Sequence, residues 1–104
     1  MEQWFAEILR RDQMSRKEKV IRVIDGDTFE TASRKKPVRL ANVDAPEKGQ
    51  RSSAKATEAL RKMIEGEEVR IETVGRDKYG RAVAKVYKGR ESLNKKMKEK
   101  LKRL

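Results

Sequence analysis

Apolar residues are so thinly spread along this chain that they dictate how it can fold. Leucine, isoleucine, valine and phenylalanine supply 21 of 104 residues, while 43% of the chain is charged. That share sits near the roughly 20% level below which a highly charged chain stays disordered. Whatever core forms must be drawn from a few short segments, in one small and tightly patterned domain.

Those segments alternate between two periods. Trp4, Phe5, Ile8 and Leu9 share one face of a short helix, followed by a polar connector, so residues 1–16 read as an amphipathic helix and its link. This helix either docks on the domain, which so small a core favours, or offers a partner or a membrane surface its apolar face. Residues 19–24 are β-branched and predict a strand. Asp25-Gly26-Asp27 signals a turn, residues 28–31 resume as a second strand, and residues 37–43 form a third that starts at Pro37. Ser52 or Ser53 is placed to cap a helix running to about Ile64, which Gly66 stops. Residues 69–74 and 81–87 alternate as fourth and fifth strands, and Ser92 caps a last helix with Leu93, Met97, Leu101 and Leu104 on one stripe. A helix between the third and fourth of five strands is how an OB-type barrel is assembled. The expected architecture is α+β: a five-stranded OB-fold-like barrel over residues 17–104 with packed helices and an extra amino-terminal helix.

The chain has no His and no Cys. Disulfides, thiolate and imidazole metal sites, Cys nucleophiles and Ser-His triads are excluded. A metal, if used, is held by oxygen, which points to a hard cation such as Ca²⁺ or Mg²⁺. The net charge of +11 favours a polyanion, above all nucleic acid, although Lys/Glu-rich surfaces also serve solubility. Residues 88–104 carry eight Lys/Arg against two Glu, either a solvated helix face or a surface for backbone phosphates. No apolar run approaches the ~20 residues of a membrane span, and no secretory leader opens the chain, so the expected location is the cytoplasm.

Four segments place unusual polar groups in or beside strands: Asp25-Gly26-Asp27, the stretch with Arg39, Asp44 and Glu47, Asp77-Lys78-Tyr79-Gly80, and Arg81. Each alone is an ordinary turn or surface charge. Asp25 and Asp27, two residues apart, are expected on one side of a strand. Arg39 and Asp44 differ by an odd number, so a bend near Asn42 is needed to bring them together. Jointly the segments hold carboxylates for a divalent cation, arginines for a phosphate and a further carboxylate for water, which is the equipment for metal-assisted phosphodiester hydrolysis.

These segments, as three motifs in order, resemble the staphylococcal nuclease (thermonuclease) family: Val23-Ile24-Asp25-Gly26-Asp27-Thr28, Val38-Arg39-Leu40-Ala41-Asn42-Val43-Asp44-Ala45-Pro46-Glu47, and Asp77-Lys78-Tyr79-Gly80-Arg81. Ser92-Leu93-Asn94 resembles the short motif that follows the family's last strand. The resemblance implies a calcium-dependent nuclease acting on DNA and RNA with little sequence specificity, cutting the 5′-oxygen–phosphorus bond and leaving 3′-phosphates. It implies that Asp27, Asp44 and the Ala45 carbonyl bind Ca²⁺, with Asp25 as an outer group. It further implies that Glu47 positions or deprotonates the attacking water, that Arg39 and Arg81 grip the phosphate, and that Lys78 and Tyr79 lie at the nucleotide-binding edge. Single strands are the expected substrate and a monomer the expected state. Ala45 stands where the best-known member has a hydroxyl residue, and the loop over residues 48–53 is short. Leu104 falls short of the aromatic-bearing loop and further helix usual in the family, and the amino-terminal helix is expected to take their place. Two other readings stand beside this one: an OB-type module that binds nucleic acid without cutting it, and an interaction domain whose charge is only solvation.

Overall fold

The computed structural model describes residues 16–104, so the amphipathic helix expected around Trp4 and Phe5 lies outside the described residues. The chain runs β1 (Lys17–Asp25), β2 (Thr28–Thr31), β3 (Val38–Leu40), α1 (Ser53–Ile64), β4 (Glu68–Arg76), β5 (Ala82–Lys88), β6 (Glu91–Ser92) and α2 (Leu93–Lys102). β1 pairs antiparallel with β2 and β4, β2 with β3, β4 with β5, and β5 with the short β6. β3 also pairs with β5, in parallel, through Val38↔Ala82, Arg39↔Val83 and Leu40↔Ala84. The pairings therefore run in a closed circuit, β1–β2–β3–β5–β4. This mostly antiparallel sheet with two helices is consistent with the expected OB-like α+β fold.

Side-chain alternation fills the inside of the circuit. Ala82, Ala84 and Val86 of β5 point inward, with Val83, Lys85 and Tyr87 left outside the core. β1 departs from strict alternation: Val20 and Val23, three apart, are both buried, and a register shift between Val20 and Arg22 accounts for it. The bulge turns Ile21 outward, where it is 53% exposed, although the sequence pattern treats it as strand interior. A second bulge lies between Thr73 and Gly75, and Val74 there is exposed, as its odd spacing from the buried Val69 and Ile71 already requires. Phe29, Leu40, Leu60, Ile64, Leu93 and Met97 are wholly buried. Each such side chain contributes about 1.5–3 kcal/mol on leaving water.

Several boundaries differ from the sequence expectation. The third strand ends at Leu40 rather than residue 43, because Asn42 adopts a left-handed φ of 59° and turns the chain. The predicted bend is at that residue. Ser52 does occupy the position before α1, but its hydroxyl makes no capping bond. Gly66, φ 82°, ends α1 as expected, and its amide donates to the Val20 carbonyl at 2.9 Å. Ser92 caps α2, accepting from the Lys95 amide. Of the predicted α2 stripe, Leu93 and Met97 are buried and Leu101 half-buried, but Leu104 lies past the helix end and is 43% exposed. β6 was not foreseen: Gly89, at φ 62°, closes a tight turn that lets Tyr87 pair with Ser92.

Candidate active site

The β1–β2 turn, β3, the segment after β3 and the β4–β5 loop meet through the pairings of the circuit. β1 ends at Asp25, so Asp25 and Asp27 do not share a strand face as the i, i+2 spacing predicted. They meet across a turn, the Asp27 amide donating to Asp25 Oδ1 at 3.1 Å. Gly26 allows this turn to lie against α1. A Cβ at that position would stand 2.7 Å from the Ala56 Cβ and 2.8 Å from the Ala45 Cβ.

Asp27 is the best-anchored group of the site. Its Oδ1 accepts from the Thr28 hydroxyl at 2.8 Å and its Oδ2 from the Ala45 amide at 3.0 Å. Its carbonyl accepts the Leu40 amide at 2.8 Å, which ties the turn to β3. Burial opposes the charge on Asp27, but hydrogen bonding with Asp25, the Ala45 amide and the Thr28 hydroxyl, and the charge on Arg39, hold its carboxyl below the usual range. Burial, and then the facing Asp27 carboxyl, push Asp25 up.

Arg39 projects from the outer side of β3 between two carboxylates. Its Nη2 is 2.9 Å from Asp44 Oδ1 and 3.5 Å from Asp27 Oδ2, and its Nη1 donates to the Leu40 carbonyl at 3.1 Å. The Asn42 bend carries Asp44 back to this position, where its side chain is 94% exposed. Asp25, Asp27, Arg39, Asp44 and Ala45 are thus brought together.

Glu47 is not drawn into the cluster. Its amide donates to Gln50 Oε1, and its exposed carboxylate has no hydrogen bond or ion pair among the described residues. Arg81 lies just before β5 rather than in it, held by Asp77: Nε donates to Oδ2 at 2.6 Å and the Arg81 amide to Oδ1 at 2.9 Å. Asp77 also accepts the Tyr79 amide. Because Arg39 pairs with Val83, Arg81 stands two residues further along the same side of the sheet, about 7 Å at the strand rise. The Arg81 terminal nitrogens have no hydrogen-bond partner among the described residues, so their fork is available to an anion. Tyr79 is 65% exposed, with Lys78 Nζ and Arg81 Cζ 5.2 and 5.3 Å from its ring centre. Among the described residues no three carboxylates are grouped closely enough to hold a metal. The oxygens present are nonetheless the hard donors that Ca²⁺ takes, and Asp25 and Asp27 crowd two carboxyls that a cation would relieve.

The sequence reading gave no role to three residues that build this site: Gly26, Thr28 and Asp77. The small residue between two aspartates, and an aspartate four before an arginine, were the available signals.

The family model described as staphylococcal nuclease homologue matches residues 37–100, which include Arg39, Asp44, Glu47 and Arg81. The chain belongs to the staphylococcal nuclease family. A protein named uncharacterized endonuclease in Escherichia coli O157:H7 is 41% identical over 71 residues, 66% of this chain and 46% of that protein. The micrococcal nuclease of Shigella flexneri is 37% identical over 70 residues, 65% of this chain and 40% of its own length. The thermonuclease of Staphylococcus hyicus is 34% identical over 89 residues, 76% of this chain and 53% of its own. The chain spans about half the length of the curated relatives it matches.

Proposed function

We propose that this staphylococcal nuclease family member is a calcium-dependent nuclease that hydrolyses phosphodiester bonds of DNA and RNA. In the same reading the closed strand circuit is an OB-like barrel that acts as a monomer and takes single strands by preference. The observation that carries the reading is the Arg39 guanidinium set between Asp27 and Asp44 at the meeting of three elements. A cation and a phosphate are recognised by these two kinds of group side by side.

In this reading Asp27, Asp44 and the Ala45 carbonyl hold Ca²⁺, with Asp25 as an outer group. The ion would neutralise phosphate charge and orient water, as a Lewis acid does. Arg39 and Arg81 donate to the non-bridging phosphate oxygens, whose charge grows in the transition state. Glu47, free of other partners, takes a proton from the attacking water as its oxygen bonds to phosphorus. The bond to the 5′-oxygen breaks, that oxygen takes a proton from solvent, and a 3′-phosphate remains. Tyr79, exposed and flanked by Lys78, receives a base or sugar beside the scissile bond.

The test is incubation with single-stranded DNA and with RNA, in Ca²⁺ and in chelator, followed by end-group analysis. Cleavage in Ca²⁺ alone, with 3′-phosphate ends, is expected. Undiminished cleavage in chelator would refute the calcium assignment, and binding without cleavage would make the domain a nucleic-acid-binding module.

A further inference from the structure

The β2–β3 connection carries Arg34, Lys35 and Lys36, which the catalytic reading leaves unused. With Arg76 at the end of β4 and Ala82 at the start of β5 they line a cleft of about 300 Å³. Four of its five lining residues are cations. Arg34 is held by Glu18 in a two-point contact, Nε to Oε1 at 2.7 Å and Nη2 to Oε2 at 2.9 Å. Lys35, Lys36 and Arg76 have no carboxylate partner among the described residues. Arg76 Nη1 donates instead to the Gly80 carbonyl at 3.3 Å. The Lys36 ammonium also lies over Gly80, 2.6 Å from where a Cβ would stand. Three uncompensated charges therefore gather on one cleft, against their mutual repulsion, and an anion seated there would relieve it.

The cleft is continuous with the proposed nucleotide edge. Gly80, which both Arg76 and Lys36 touch, lies between Tyr79 and Arg81. Lys36 is three residues before Arg39, about 10 Å at the strand rise. That is too far to grip the phosphate that Arg39 would hold, and near enough for a neighbour on the same strand. We propose that the Arg34–Lys35–Lys36–Arg76 cleft is a second phosphate subsite, which takes a backbone phosphate of the nucleic-acid strand away from the scissile bond. This rests on the nuclease reading for the identity of the strand, and its role is binding, with no chemical step.

The test compares the protein with its Lys35→Ala/Lys36→Ala/Arg76→Ala variant, and with a charge-matched control, Lys98→Ala/Lys100→Ala/Lys102→Ala on α2. Affinity for a fluorescent single-stranded oligonucleotide of about a dozen nucleotides is read by anisotropy in chelator across a salt series. Each backbone phosphate no longer neutralised on a single strand flattens the slope of log K against log salt by about 0.7, so the cleft variant, which gives up one phosphate, should lose about 0.7. Its affinity should fall about tenfold or more at low salt, and the control should fall less. In Ca²⁺, its turnover of a dinucleotide, too short to reach the cleft, should match the unmodified protein. A slope unchanged in the cleft variant, or flattened equally in the control, would overturn the subsite. So would loss of affinity for inorganic tripolyphosphate with oligonucleotide binding intact, which would assign the cleft to free phosphate. If the unmodified protein cuts nothing, the nuclease reading fails separately, and the anisotropy slopes still decide the subsite. Thermal melts accompany each variant, and Gln at the same positions replaces Ala in one that does not fold.

Discussion

Asn94 is the buried polar group on which the placement of the site depends most. It is 9% exposed at the start of α2 and makes three hydrogen bonds to backbone. Its Oδ1 accepts the Val86 amide at 2.8 Å, and its Nδ2 donates to the carbonyls of Ala41 and Ala84 at 2.9 and 3.0 Å. One side chain thus fastens α2 to β5 and to the residue just before the Asn42 bend. In Asn94→Ala the Ala84 carbonyl keeps the bond from the Ala41 amide at 2.8 Å. The Val86 amide and the Ala41 carbonyl lose the partner that Asn94 supplied. A buried group left unsatisfied costs about 1–3 kcal/mol, so the pair costs about 2–6. Taking about 3 kcal/mol, and about 4–8 °C per kcal/mol for a domain of this size, the melting temperature should fall by about 12–24 °C. Circular dichroism melts and urea midpoints measure this. Asn94→Asp supplies the contrast: it keeps an acceptor for Val86 but turns an anionic oxygen toward two carbonyls, so it should be no more stable than Asn94→Ala at neutral pH. A fall of less than about 4 °C for Asn94→Ala would show that these bonds are exchanged for water at no cost, and would refute the argument.

Gly26→Ala should destabilise by about 1–3 kcal/mol, because its methyl meets Ala56 and Ala45 at 2.7 and 2.8 Å; an unchanged urea midpoint would contradict that packing. Arg39→Lys should slow cleavage by about 10²–10³ while the fold persists, since an ammonium cannot bridge as a planar fork does; a loss of under about threefold in kcat/KM would make the arginine a structural pairing group. For Glu18, burial raises the pKa, but the Arg34 and Ser33 hydrogen bonds more than offset it and the folded value lies below 4.5. The stabilisation from this group is full above that unfolded value and is lost as pH falls through the folded one. The stability gap between the protein and Arg34→Ala, measured by urea melts, should therefore be widest at neutral pH and narrow in acid; a gap that widened in acid would reverse the sign of the argument.

The alternation of β5 was legible because nothing interrupts it, and the Asn42 bend was legible from parity alone, since Arg39 and Asp44 could meet no other way. The exposure of Ile21 was not, because a bulge inserts a residue without leaving a mark in local composition, whereas that of Val74 follows from its odd spacing from Val69 and Ile71. β6 escaped for another reason: two residues pair only because the Gly89 turn brings them back to β5, and no periodicity exists over two residues. The site was read as a set of chemical types, and its aspartates and arginines did gather around one place. Their pairings depended on three-dimensional neighbours. Arg81 is held by Asp77 and Asp27 by the Ala45 amide, contacts that strand periodicity does not reveal. Asn94 was visible only as part of a motif, because a polar plug and a surface asparagine look alike in sequence.

The seam that closes the strand circuit is only three residues long, yet it joins Val38 to Ala82 across nearly half the chain. Long loop closures are slow, and little rewards them until the flanking strands are in place. β3 should therefore be among the last elements to acquire amide protection during folding and among the first to open. Arg39 rides on that seam, so the groups gathered around it exist only when the whole circuit has closed. A partly folded intermediate would retain helix and sheet yet have no assembled site. Activity regained during refolding should accordingly lag behind secondary structure and coincide with the final cooperative step.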